Sequence, residues 1–364
     1  MAVMAKKILV VDDSALMRRV LCDIIDSDER FQVVARATNG MEAFDLLSRN
    51  QYDAVVMDVN MPKMNGLQLL EELRKHKISA RVMMASTDTK EGAQTTLAAL
   101  ELGALDFIHK PDSAFDCRVE VFKTRLLDKL NVVANSALPV FESRKKLQDN
   151  RETTTKMVDI ARKFSAKITP GTKVVAIASS TGGPKALQSV VPYLPAELNA
   201  PVLIVQHMPK GFTASLAERL NQLSAVEVKE AAEGDELKAG TVYVAMGGMH
   251  MNVATSAAGK HVIHYSDEPS REGVKPCANY MYESLVNSQF DKIVCVVMTG
   301  MGADGTVGIK RLKAQKNIHV ITQNQATCTV YGMPRSAENA GLSDQVVALD
   351  DIAQEIILNV GVKS

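Results

Sequence analysis

From Lys6 to about Asp112, short apolar runs rich in β-branched residues alternate with segments of helical period. "KILVVDD", "FQVVARA", "YDAVVMD", "ARVMMAS" and "ALDFIHKP" read as five strands. Between the first two, "SALMRRVLCDIIDS" puts Leu16, Val20, Leu21, Ile24 and Ile25 on one helical face, with Ser14 as N-cap. Strands alternating with helices predict a doubly wound parallel sheet, because parallel neighbours need crossover connections. Ligands of such a sheet sit outside the carboxyl ends of its strands.

After Val121 the pattern becomes long-helical in "FKTRLLDKLNVVANS" and then polar, "ESRKKLQDNRETTTKMVDIARKFSAKITPGT". The absence of a strand period and the wealth of Lys, Arg and Thr mark a partly helical linker. A second strand–helix alternation opens at "KVVAIASSTGG" and continues through "APVLIVQH", "GTVYVAM", "HVIHYS", "DKIVCVVMTG", "IHVITQ" and "QVVAL". "PKALQSVVPYL" and "IAQEIILNV" have helical period within it. The expected architecture is an α/β domain over residues 1–125, a helical linker over 126–171 and a doubly wound α/β domain over 172–364.

The composition narrows the partners. Lys plus Arg and Asp plus Glu number 42 each, so no global field favours nucleic acid or an anionic membrane. Five scattered cysteines without a C-x-x-C pair fit a reducing compartment and speak against a cysteine-rich metal site. "MAVMAKKILVVDDS" lacks signal-peptide architecture, and no apolar stretch approaches the roughly 20 residues of a membrane span. A cytoplasmic protein without membrane insertion or nucleic-acid binding is expected.

Three carboxylates stand at strand ends of the first half: Asp12 and Asp13 after the first strand, Asp58 at the end of the third. Converging in one crevice, they repel one another and call for a hard cation such as Mg²⁺. Lys110 and Ser86, at the ends of the fifth and fourth strands, can reach a phosphoryl group there as a point charge and a hydroxyl donor. Aspartates also begin ordinary Asx turns. The combination "VVDDS", "VVMDVNMPKMNG", a strand-end Ser and "HKP" is specific, and over residues 5–125 the chain resembles the receiver domain of two-component response regulators. That resemblance implies Asp58 as phosphoacceptor, Mg²⁺ held by Asp12, Asp13, Asp58 and the Asn60 carbonyl, Lys110 and Ser86 on the phosphoryl group, and Phe107 as the aromatic switch. A histidine kinase would be the phosphodonor.

In the second half, "VVAIASSTGGPKAL" reads strand, tight turn, helix, with Ser180 at the turn. It is half of a nucleophile elbow, because Ala178 stands where the first glycine would be. "LIVQHMPKGF" puts His207 at the end of the next strand, and "VVMTGMGADG" supplies Asp304 just beyond a later one. Hydroxyl, imidazole and carboxylate from strand ends on one side of a sheet are what a Ser–His–Asp site requires. Gly300, Gly302 and Gly305 also form G-x-G-x-x-G. A dinucleotide site would want a carboxylate roughly 20 residues on, yet the next strand ends in Gln323 and Asn324. The glycines instead suit close backbone approach, with Asp304 turned toward His207.

"SSTGGP", "QHMPKGFTASLAERL", "TGMGADG", "DEPSREGVKP" and "YGMPRSA" together resemble the chemotaxis protein-glutamate methylesterase (CheB) family, whose order is receiver, linker, esterase. The resemblance implies Ser180 as nucleophile, His207 as general base and Asp304 as its orienting partner, with Thr181 and the Met301 backbone N–H near the oxyanion. Where members usually read Gly-Ala-Ser, this chain has Ala178-Ser179-Ser180. Two adjacent serines therefore compete, and Ser180 is preferred because it directly precedes Thr-Gly-Gly. The implied reaction is hydrolysis of glutamyl methyl esters on chemoreceptors, with deamidation of receptor glutamines, no cofactor for the esterase, and activation by phosphorylation that relieves inhibitory packing of the receiver.

The remaining clusters read as structure. His261 and His264, three apart in a strand, face opposite ways. Arg271, Glu272 and Lys275 belong to a loop facing substrate, another domain or solvent. The competing reading is a response regulator whose second half only binds a partner, such as DNA or a signalling protein. DNA would need a basic recognition helix, and none is evident, while a pure binding module has no need of Ser180, His207 and Asp304 at three strand ends.

Overall fold

The computed structural model describes residues 4–86, 90–111, 120–138 and 171–363. The chain divides into two compact units, residues 1–142 and 143–364. The expected linker falls largely on residues 139–170, which lie outside the described residues, as does Cys117.

The first unit runs β1 (Lys6–Val11), α1 (Ala15–Asp26), β2 (Phe31–Ala37), α2 (Gly40–Arg49), β3 (Ala54–Asp58), α3 (Gly66–Lys75), β4 (Val82–Ser86), α4 (Lys90–Leu102), β5 (Asp106–His109) and α5 (Glu120–Asn135). Its sheet has the order β2-β1-β3-β4-β5 with every pairing parallel. Ser14 caps α1, accepting from the Met17 N–H. Val20, Leu21, Ile24 and Ile25 are buried as expected, but Leu16 on the same face is 57% exposed. Periodicity sets the direction in which a side chain points, and among the described residues none buries Leu16 in the first turn of α1. The expected domain end at residue 125 falls inside α5, whose Leu126, Leu127 and Leu130 pack into the core of this unit.

The second unit runs β6 (Lys173–Ser179), α6 (Gly183–Gln188), β7 (Val202–Gln206), α7 (Phe212–Leu223), β8 (Glu227–Glu230), β9 (Thr241–Val244), β10 (His250–Thr255), β11 (His261–Ser266), α8 (Ala278–Ser284), β12 (Lys292–Val297), α9 (Thr306–Lys313), β13 (Ile318–Gln323), α10 (Met333–Asn339), β14 (Gln345–Val347) and α11 (Ile352–Val360). Seven strands form a parallel sheet in the order β14-β13-β12-β6-β7-β9-β8, and β10 with β11 makes a separate antiparallel pair. Sequence periodicity misses β8 and β10. The four-residue "EVKE" of β8 lies at the sheet edge, where charge is tolerated and an apolar pattern is not required. The expected single helix "PKALQSVVPYL" is split into α6 and a short 3₁₀ turn at Val191–Tyr193, since Pro192 lacks the N–H a continuous helix needs.

Both sheets reverse direction once. In the first, the chain goes one way from β1 to β2 and the other way through β3; in the second, β7 lies on one side of β6 and β12 on the other. A doubly wound sheet opens a crevice at that reversal, because the flanking crossovers leave on opposite faces.

Candidate active site

In the first unit the crevice lies between the ends of β1 and β3, which carry Asp12, Asp13 and Asp58. One carboxylate oxygen from each lies within 4.8 Å of the others. Lys110 reaches the same point, its Nζ 2.8 Å from Asp58 Oδ1 and 3.2 Å from Asp12 Oδ2. Burial and the neighbouring Asp58 hold the Asp12 carboxyl above its ordinary range despite Lys110. Burial alone would lower the Lys110 ammonium, yet Asp58 and Asp12 outweigh it and raise the value. One ammonium facing three close carboxylates leaves negative charge over, and these hard oxygen donors fit a divalent cation such as Mg²⁺. Ser86 is buried at the end of β4, donating to the Gly92 carbonyl at 3.3 Å, and β4 pairs with β3. Asn60 is exposed two residues past Asp58. Phe107 is buried in β5, with the Lys129 ammonium 5.6 Å from its ring centroid. Arg18, which sequence reading passed over, donates to the Asp12 carbonyl at 2.6 Å.

In the second unit the crevice lies between β6 and β12, with β7 on the far side of β6. The register pairs Ser179 with Gln206, so the next residues, Ser180 and His207, leave the sheet side by side. The His207 N–H donates to the Ser179 carbonyl at 3.1 Å, and the Ser180 N–H donates to the Thr299 carbonyl at 3.0 Å. The two candidate serines differ sharply in surroundings. Ser179 is fully buried and donates its hydroxyl to Gln206 Oε1 at 2.7 Å, whereas Ser180 is half-buried at the turn. Gln206 also donates through Nε2 to the Ser180 carbonyl at 2.9 Å, bracing the turn from below. Its placement just before His207 at a strand end was visible in the sequence; its bracing role was not.

Asp304 turns inward from the loop after β12. Its Oδ2 lies 2.8 Å from His207 Nε2, so in the neutral imidazole the proton sits on Nε2 and Nδ1 keeps its lone pair for a hydroxyl. Three more donors hold the carboxylate: the Ala278 N–H at 2.6 Å, the Asn279 N–H at 2.9 Å and the Cys277 thiol at 3.1 Å. Burial would push the Asp304 carboxyl up, but His207 and these donors outweigh it, and the net shift is downward. Burial and the adjacent Asp304 push the Cys277 thiol well up, so it stays a neutral donor. Nothing local in "KPCANY" marks Cys277 or Asn279 for this task.

The glycines of the Asp304 loop do two separate things. Gly305 has φ +96° and begins α9, a left-handed conformation that disfavours a side chain. Gly300 lies against Ser180, where a Cβ would stand 2.7 Å from Ser180 Cβ and 3.1 Å from its nitrogen. Thr181 is buried and its carbonyl accepts from Thr299 Oγ1 at 3.0 Å, while Met301 is 41% exposed on the loop. The two strand histidines are apart in function as well as in direction: His261 stacks on Phe290 and His264 pairs with Glu233.

Against known families, residues 175–356 match CheB methylesterase and residues 8–118 match the response regulator receiver domain. A protein-glutamate methylesterase/protein-glutamine glutaminase 1 of Syntrophomonas wolfei is 40% identical over 357 residues, 97% of this chain and 98% of that protein. A protein-glutamate methylesterase/protein-glutamine glutaminase of Geobacillus kaustophilus is 39% identical, over 98% of this chain and 99% of its own length. Among solved structures, the CheB methylesterase catalytic domain of Thermotoga maritima is 37% identical and covers 52% of this chain and 98% of its own, with a TM-score of 0.49.

Proposed function

The chain belongs to the CheB methylesterase family, and from that premise we propose a protein-glutamate methylesterase and protein-glutamine glutaminase that works through Ser180, His207 and Asp304. The observation that carries this reading is the buried His207–Asp304 pair at 2.8 Å, beside a half-exposed Ser180 at the reversal point of the sheet. His207 Nδ1 takes the Ser180 proton as Oγ adds to the ester carbonyl of a chemoreceptor glutamyl methyl ester. The imidazolium is steadied by Asp304 and returns the proton to the leaving methoxide, releasing methanol. Water, deprotonated by the same nitrogen, cleaves the acyl-enzyme and frees the glutamate carboxylate. On a glutamine side chain the leaving group is ammonia. The Met301 N–H and Thr181 serve the oxyanion, where each donor is worth roughly 2.7–4 kcal/mol.

The receiver comprises the expected residues 1–125 extended through α5, and the catalytic domain residues 172–364. Asp58 accepts a phosphoryl group from the phosphohistidine of a chemotaxis kinase: its carboxylate oxygen bonds to phosphorus as the imidazole nitrogen leaves. Lys110 holds the transferred oxygens, and Ser86 and Phe107 respond to the new charge. Asp12, Asp13 and Asp58, with the Asn60 carbonyl, would hold Mg²⁺, which when bound supplies charge neutralisation for phosphoryl transfer. Phosphorylation raises esterase activity. The esterase needs no cofactor. No described helix is long and apolar enough to cross a membrane; we assign the protein to the cytoplasm.

The test is methanol release from methyl-labelled receptor membranes by the full chain and by Ser180→Ala, with and without a small-molecule phosphodonor and Mg²⁺. Release lost in Ser180→Ala and increased by phosphodonor supports both halves. No release from the phosphorylated full chain on confirmed methylated receptors overturns the esterase reading.

A further inference from the structure

Asn279 is fully buried, and both its side chain and its backbone N–H are committed around Asp304. Its backbone N–H donates to Asp304 Oδ1 at 2.9 Å. Its side-chain Oδ1 accepts from the Gly305 N–H at 3.1 Å and the Gly308 N–H at 2.7 Å. Its Nδ2 donates to Glu272 Oε1 at 2.8 Å. Gly305 begins α9 and has no side chain to satisfy that helix's first N–H groups, so Asn279 caps α9 from a different helix. The Gly305 nitrogen belongs to the peptide that leaves Asp304. One residue therefore grips Asp304 at its carboxylate and at its backbone.

An asparagine amide can be seated two ways, and only one suits this site. Reversed, it would aim two N–H donors at the donors of Gly305 and Gly308. Glu272 Oε1 accepts from Nδ2 on the other side and so secures the orientation that the two backbone N–H groups require. Glu272 itself stands at φ +55°, a backbone conformation uncommon for a residue with a side chain. Next to it, Arg271 donates to Glu283 at 2.8 Å, so two adjacent residues of this loop are tied to α8.

We propose that Asn279 is a positioning residue for the His207–Asp304 pair, with Glu272 securing its amide from the opposite side. Asn279 keeps Asp304 where it holds the proton on His207 Nε2, and Glu272 makes that hold dependent on the largely exposed 267–273 loop. The kinetic part of the test rests on the esterase reading; the spectroscopic part does not.

The experiment uses the full chain labelled with ¹⁵N-histidine, the His207 signal being identified by its loss in His207→Gln. In wild type the neutral His207 imidazole should carry its proton on Nε2. Glu272→Ala, a change at an exposed residue, should populate the Nδ1-protonated tautomer and lower kcat about three- to tenfold, with KM within about twofold. Glu272→Gln keeps an acceptor oxygen for Nδ2 and should restore both readouts. Asn279→Ala should lower kcat by about tenfold or more. A wild-type tautomer and kcat in both alanine variants, with only a lower melting temperature, would overturn the proposal and leave Asn279 a structural cap. If even wild type releases no methanol, the esterase reading fails while the tautomer still decides the role of Asn279.

Discussion

Gly300→Ala tests whether the placement of Ser180 depends on close packing against the Asp304 loop. Gly300 does not have a positive φ, so alanine meets no backbone objection there. The obstacle is contact. The added methyl would stand 2.7 Å from Ser180 Cβ and 3.1 Å from its nitrogen, with Met333 Sδ closer still. Carbon atoms pack best at roughly 3.5–4.0 Å, so either the serine turn or the loop must retreat by about 1 Å. Met333 is the softer neighbour, but its movement relieves only its own contact. Overpacking of this kind costs about 1–3 kcal/mol of stability, and a 1 Å displacement of a reacting group costs about a hundredfold in rate. Methanol release by the phosphorylated full chain should therefore fall by about two orders of magnitude in kcat/KM, mostly in kcat. Gly259→Ala is the control for stability alone. Its φ of +77° penalises a side chain, nothing lies within 4 Å, and it sits between β10 and β11. It should lose roughly 1–2 kcal/mol without losing activity. A Gly300→Ala enzyme that melts lower but keeps kcat/KM within about threefold of wild type would refute the reasoning, since the expected loss is far larger.

Ser179→Ala strands Gln206 Oε1 in the interior, so it should cost about 1–3 kcal/mol in thermal unfolding yet retain activity, whereas Ser180→Ala should abolish methanol release. Asp304→Asn turns an N–H₂ group toward a site with four donors and should lower kcat by about 10⁴-fold. Because the folded Asp304 carboxyl is lowered from 3.8, its contribution to stability is complete above that value and disappears as pH falls through the folded one. The melting-temperature gap between wild type and Asp304→Asn should therefore narrow on acidification below about pH 4. Without Mg²⁺, Asp12 behaves oppositely: between 3.8 and its raised folded value the native chain holds the extra proton, so stability falls as pH rises through that window. Asp12→Asn should remove this fall, and with it the Mg²⁺-dependent stabilisation of the first unit, which at a hundred times Kd is worth about 2.7 kcal/mol in wild type. An Asp12→Asn chain that Mg²⁺ still stabilises as strongly would exclude Asp12 as a ligand.

Much of this protein is legible along the chain because the signals are local. A strand of β-branched residues ending in Asp, Ser or His announces both the strand and the polar group at its end, and the 3.6-residue period announces the helices between them. On that basis Asp12, Asp58, Lys110, Ser180, His207 and Asp304 stand out, as do the two doubly wound units. Local pattern fails where the deciding neighbour is remote. The exposure of Leu16 depends on whether anything covers the first turn of α1, and the helix face alone is silent on that. The strand β8 escapes notice because an edge position relaxes the apolar pattern. Strand order, set by long-range pairing, is what makes the ends of β6 and β12 into one crevice rather than two unrelated loops. Only the folded chain separates Ser179, turned into the core against Gln206, from Ser180 at the turn. It alone shows that His207 meets Asp304 through Nε2, and that Cys277 and Asn279, from an otherwise unremarked helix start, hold the carboxylate. Hydrogen bonds between residues 25 to 97 positions apart carry no periodicity, so their existence is decided by packing and not by any stretch of sequence.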